Sequence, residues 1–114
     1  MKFSDSLKKN RDFQNVYRRG TSTADRYFVM YALKNGTECN RIGISASKKV
    51  GNSVVRHTIA RRIREAYRLQ EELFCRGYDV VFIARSAAKD CTQKQAEESV
   101  RILAEKQHIL EDKK

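Results

Sequence analysis

Residues 41–85 carry two strand patterns separated by one long helical pattern, and this succession constrains the fold more than any other feature of the chain. In residues 41–47, Ile42, Ile44 and Ala46 share one face at a period of two. Residues 77–85, GYDVVFIAR, form a nearly continuous apolar run, as in a strand buried on both faces. Between them Val55, Ile59, Ile63, Ala66 and Leu73 recur at helical spacing, with Asn52 or Ser53 placed to cap the helix. The segment predicts a βαβ unit.

The remaining elements are arranged around that unit. Residues 10–19 space Phe13, Val16 and Tyr17 as a short amphipathic helix, with Asn10 as its cap and Gly20 at its end. Residues 26–33, RYFVMYAL, place Tyr27, Val29, Tyr31 and Leu33 on one face of a strand. Asn35-Gly36 then marks a turn, so this strand and the one beginning at Arg41 are expected to form a hairpin. Thr92 and Gln95 have capping-box spacing ahead of a helix whose face holds Ala96, Val100, Leu103 and Leu110, and residues 111–114 are expected to fray. With no proline, repeat or low-complexity stretch to mark a boundary, residues 1–114 read as one α+β domain. Its expected order is α-β-β-α-β-α, with room for an extra short strand.

Charge narrows the function. The chain has 24 Lys and Arg against 14 Asp and Glu, a net charge of +10 that attracts polyanions. Residues 41–68 carry +7 and residues 1–35 carry +5, whereas the rest of the chain is at −2, so the electrostatic footprint lies in the first 68 residues. A membrane surface is the less suitable partner, because residues 1–19 offer no apolar span, lipidation signal, signal peptide or broad apolar wedge. Cys39, Cys75 and Cys91 are odd in number and far apart without a CxxC pair, which reads as reduced cytosolic thiols.

On the long helix, His57, Arg61, Arg64 and Arg68 fall together opposite the apolar stripe at about 100° per residue, and Arg56 and Arg62 flank that stripe. A solvated helix face normally mixes signs, but here Glu65 is the only acid between Arg41 and Arg68. Phosphate binding explains that imbalance better. For Phe13, Tyr17 and Tyr31 periodicity alone favours packing in a core, with stacking on bases as the rarer use. Catalysis by this chain is not expected. His57 sits among arginines without an acid partner nearby in sequence, His108 lies near a solvated tail, and the five glycines form no phosphate-cradling loop.

Residues 45–68, SASKKVGNSVVRHTIARRIREAYR, resemble the signature of the bacterial ribonuclease P protein family without a gap. The resemblance extends in order through LKKNRDFQNVYRRG at 7–20, RYFVMYAL at 26–33 and GYDVVFIAR at 77–85. It implies a two-layer α/β sandwich with a left-handed βαβ crossover, an exception to the usual hand. It also implies a cytoplasmic subunit of an RNA-based endoribonuclease that matures the 5′ end of tRNA. In that family a large RNA subunit with bound magnesium is the catalyst, and the protein, with no cofactor of its own, binds that RNA and the 5′ leader of precursor tRNA.

By position, Lys48, Lys49, Asn52, Arg56, Arg61 and Arg64 match the family's segment that meets the RNA subunit, and His57, Arg62 and Arg68 join this set from the helical geometry. Phe13, Tyr17 and Tyr31 match the family's central leader cleft, which overturns the core reading for at least part of that set. Where the family has Arg-Asn-Arg this chain has Arg56-His57-Thr58, and Ala60 stands where Lys is usual, so altered docking is expected there. A stand-alone RNA-binding factor, for example one associated with ribosomes, is the rival reading. An independent metal-dependent nuclease is disfavoured, since the basic half holds no acid cluster for magnesium.

Overall fold

In the computed structural model, which describes residues 1–111, the chain runs β1 (Ser4–Ser6), α1 (Asn10–Arg19), β2 (Thr21–Ala24), β3 (Phe28–Lys34), β4 (Asn40–Ser45), α2 (Ser53–Gln70), β5 (Tyr78–Ala84) and α3 (Gln93–Lys106). Short 3-10 helices follow α2 at Glu71–Leu73 and β5 at Ser86–Asp90. Of the tail expected to fray, residues 112–114 lie outside the described residues. The class is α+β as expected, with two short strands, β1 and β2, added to the expected order.

The most apolar strand takes the middle of the sheet. The order is β1-β4-β5-β3-β2, with β4 parallel to β5 and β3 antiparallel to it. The βαβ unit is therefore present, its two strands adjacent. The expected hairpin between β3 and β4 is not formed, because β5 lies between them. With Val80, Val81 and Phe82 fully buried, β5 needs a neighbour on each edge, and burial of those side chains outweighs the local turn signal. Asn35-Gly36 still turns the chain, with Gly36 at φ 75°, but the connection passes over the start of β5. There a Cβ on Gly77 would lie 2.5 Å from the Thr37 carbonyl oxygen.

Each face of the sheet has its own apolar cluster. Beneath α2 and α3 lies the larger one, built on Phe28, Met30 and Ala32 of β3, Ile42 of β4 and Val80 and Phe82 of β5. On the other face α1 packs Val16 against Leu7 and Val81, with Phe13, Tyr17, Tyr31, Leu33 and Ile83 half-buried around them. The β3 face predicted from the sequence is thus the half-buried one, and Tyr27 is not part of it, since it precedes the strand and packs against the larger core.

Several caps and ends differ from expectation. Asn10 is the first residue of α1 rather than its cap; Lys9 holds the cap position and makes no side-chain bond. Asn52 does cap α2, its Oδ1 accepting from the Val55 amide at 3.0 Å. Leu73 falls beyond the helix, and the buried residue near the end of α2 is Tyr67. Both bonds of the Thr92–Gln95 capping box are formed. Leu110 lies past the end of α3, where it bridges to Phe74 instead of extending the helical stripe, because His108 adopts φ 57° and turns the chain.

The N-terminal strand is held by polar groups. The buried Glu71 carboxylate accepts from the amides of Lys2 at 2.7 Å and Phe3 at 3.2 Å. The Tyr67 hydroxyl bonds Ser4 Oγ at 2.6 Å and accepts from Asn40 Nδ2 at 3.1 Å. Asn40, also buried, donates to the Cys75 carbonyl and accepts from the Tyr78 amide, so no arm of its amide is wasted.

Candidate nucleic-acid interface

The cationic helix face forms as the spacing predicts. His57, Arg61, Arg64 and Arg68 are exposed on the side of α2 away from the sheet, and Lys48 and Lys49 are exposed in the turn that leads into it. Arg68 is not wholly available, because its Nε donates to Glu65 Oε2 at 2.9 Å, and this pairing holds the Glu65 carboxyl below its ordinary range. Asn52 is exposed, although its Oδ1 is occupied by the cap.

The flanking arginines stand differently. Arg62 is half-buried, with Nη1 donating to the Cys91 carbonyl at 2.7 Å while its own carbonyl accepts from Gln93, so it ties α2 to the start of α3. Arg56 is also half-buried, and its Nε is buried without a hydrogen-bond partner among the described residues. Thr58, where the family signature has arginine, turns its hydroxyl back to the Val54 carbonyl at 2.9 Å.

On the opposite face of the sheet the strand registers set out three rows. Arg41, Asp79 and Leu33 form the first, Gly43, Val81 and Tyr31 the second, and Ser45, Ile83 and Val29 the third. Helix α1 lies over the first two. The Phe13 ring rests on Gly43, where a Cβ would come within 2.6 Å of the ring, so glycine is what lets the helix approach the sheet so closely. Phe13 and Tyr17 have ring centroids 6.3 Å apart, and Tyr17 meets Tyr31 edge-on at 5.2 Å. Burial pushes the Tyr17 phenol above its ordinary range, partly offset by a hydrogen bond with Ser45.

The three rings predicted as a set are therefore brought together, half-buried on a floor whose third row is also only half-buried. That floor ends at Ser45, three residues before Lys48, a span of at most about 11 Å. The ridge and the ring-lined floor belong to opposite layers and adjoin at this loop. Sequence reasoning missed Gly43, Ser45, Val29 and Ile83 as floor residues. The period-2 pattern of β3, β4 and β5 held that information, but without the strand order it could not show which rows align.

Among the described residues, no group of three or more His, Cys, Asp or Glu could hold a metal ion, and no helix is long and apolar enough to cross a membrane. The three cysteines form no disulfide.

A five-stranded sheet carrying helices on both faces, with a cationic helix and an aromatic floor meeting at one loop, defines a basic α+β sandwich of the kind that presents charge and rings to a polyanion. The family described as Ribonuclease P matches residues 1–108. The ribonuclease P protein component of Lachnoclostridium phytofermentans is 47% identical over 107 residues, covering 94% of this chain and 92% of that protein. The structure of the Staphylococcus aureus RNase P protein superposes with a TM-score of 0.85 at 38% identity, covering 93% of this chain and 97% of that one. A Staphylococcus aureus RNase P protein mutant, described as having defective mRNA degradation activity, superposes at 0.84 and 40% identity over 91% of this chain and 88% of its own. The chain belongs to the ribonuclease P protein family, whose members are protein components of an endoribonuclease complex that processes tRNA.

Proposed function

We propose that this chain, acting as one RNA-binding domain in the cytoplasm, docks the ribonuclease P RNA on its α2 ridge and holds the 5′ leader of precursor tRNA against Phe13, Tyr17 and Tyr31. The observation that carries this reading is the meeting of the two surfaces at residues 45–49. An RNA chain leaving the cationic loop arrives at these half-buried rings, and single strands are held in this way, phosphates by cations and bases by stacking. Lys48, Lys49, Asn52, His57, Arg61 and Arg64 then contact the RNA subunit directly. Arg68 shares its charge with Glu65, and Arg56 and Arg62 act from the edge of the helix. Hydrolysis is assigned to the RNA partner with its bound magnesium, and the protein contributes affinity for substrate.

Reconstitution with a ribonuclease P RNA tests this. At low magnesium the complex should cleave precursor tRNA at one phosphodiester, and RNA-free protein should leave it intact. A second reading is favoured by the Staphylococcus aureus mutant, whose description attributes an mRNA degradation activity to that protein. On this reading the chain also promotes cleavage of mRNA. Degradation of an mRNA by rigorously RNA-free protein would decide for it and against a purely accessory role.

A further inference from the structure

Among the described residues one ion pair joins α1 to the sheet, Asp12 with Arg41. We propose that Arg41, anchored by Asp79, is a positioning residue that acts through Asp12 to seat α1 on the sheet and so sets the opening of the ring-lined cleft. In its consequence for substrate choice this rests on the leader reading above; the seating of the helix does not.

The anchor is rigid. Asp79 has only 3% of its side chain exposed and receives Arg41 as a fork, Nε to Oδ1 at 2.8 Å and Nη2 to Oδ2 at 2.6 Å. Asn35 Nδ2 adds a third donor to the same carboxylate at 3.0 Å. Held this way the guanidinium plane is fixed, and its remaining arm, Nη1, reaches Asp12 Oδ2 at 3.3 Å. A lysine could not make all these contacts, since a single ammonium lacks the planar fork.

The helix that receives this arm is short and depends on its tertiary contacts for its position. It is ten residues long, has no side-chain N-cap bond and buries only Val16 fully. A helix of that length is marginal in isolation, so tertiary contacts decide where it lies. Asp12 immediately precedes Phe13, and Arg41 stands two residues from Gly43, on which the Phe13 ring rests. The ion pair and the ring contact thus lie on neighbouring rows, and a helix freed at Asp12 would lift at the end that carries Phe13. The Tyr17 contact with Tyr31 would hold its other end.

The test uses the full chain assembled with a ribonuclease P RNA and compares Asp12→Ala, Asp12→Glu and Phe13→Ala. Asp12 is partly exposed, so Asp12→Ala should fold and should bind the RNA subunit as the parent does. Amide hydrogen exchange in α1 should accelerate while that in β3 and β5 does not. The KM for precursor tRNA should rise by about two- to fivefold, the scale of one partly exposed ion pair, with kcat and the Kd for mature tRNA unchanged. Asp12→Glu, which keeps the carboxylate, should recover most of both effects. Unchanged exchange in α1 would overturn the seating role. Faster exchange with an unaltered precursor KM, while Phe13→Ala raises that KM, would overturn the link to substrate choice. If Phe13→Ala also leaves discrimination intact, the leader reading fails and the seating of α1 stands on the exchange data alone.

Discussion

Tyr17 and Tyr31 meet edge to face, with ring planes at 69° and centroids 5.2 Å apart, and this contact fastens α1 to β3 beside a half-exposed sheet floor. Each ring is therefore part support and part surface. Replacing Tyr17 or Phe13 with Ala should weaken the preference of the assembled enzyme for precursor over mature tRNA by about 1–3 kcal/mol per lost stack. The cost in stability should stay below the roughly 3–5 kcal/mol of a fully buried aromatic. Thermal melts beside binding titrations with the two tRNAs check this. A variant that melts far below the parent, or one that folds and discriminates as before, refutes the cleft role for that ring.

Among the described residues Arg61 and Arg64 have no acidic partner, unlike Arg68, which has Glu65. Their double replacement by Ala should weaken binding to the RNA subunit and flatten its dependence on salt, with a slope smaller by about 0.7–0.9 per lost phosphate contact. Leader discrimination in the assembled complex should persist, because the ridge and the rings lie on opposite faces of the sheet. Titrations at several salt concentrations measure the slope. An unaltered slope would remove both residues from the interface.

How much of this was legible from the sequence depended on the range of the forces involved. The βαβ unit and the Thr92–Gln95 box are local patterns that formed as read, and of the two candidate caps of α2, Asn52 and Ser53, it is Asn52 that caps. The hairpin failed because a turn at Asn35-Gly36 speaks only for its neighbours, whereas the place of β5 is decided by burial across the whole sheet. The ridge was readable since helical geometry fixes its residues relative to one another. The cleft floor was not, since Gly43, Ser45, Ile83 and Val29 become neighbours only through strand order. Arg62 shows the same limit: helical spacing puts it beside the ridge, but its guanidinium is held by the Cys91 carbonyl, 29 residues away.

Glu71 makes the fold sensitive to acid in a defined direction. Burial alone would raise the pKa of its carboxyl, but bonds from Ser4 and from the Lys2 and Phe3 amides outweigh that and hold it below the ordinary value. A group depressed in the folded state stabilises fully above its unfolded pKa, and that stability is lost as pH falls through the folded value. Glu71→Gln should therefore cost about 1.5–3 kcal/mol at neutral pH, the range for hydrogen bonds to a charged group. Parent and variant should converge under acid conditions. Denaturant melts between neutral and acid pH provide the check, and a gap between them that does not narrow would mean the carboxylate charge is not what holds β1.

Gly43 bears on the same cleft from beneath. A methyl group there would lie 2.6 Å from Phe13 Cζ, 2.7 Å from Cε1 and 3.2 Å from Leu7 Cδ2, all closer than ordinary carbon contacts. Gly43→Ala must therefore displace the Phe13 ring, because the backbone of β4 is fixed by pairing on both sides. Overpacking of this kind costs about 1–3 kcal/mol. The charged ridge is untouched, so affinity for the RNA subunit should hold while leader discrimination falls as the ring leaves the floor. Adding Phe13→Ala removes the side chain that is struck, so the double variant should be more stable than the sum of the two single effects, by a coupling of about 0.5–3 kcal/mol. Denaturant unfolding of the four proteins in the cycle measures this coupling. Additive effects, or a Gly43→Ala protein as stable and as discriminating as the parent, would show that Phe13 does not rest on Gly43.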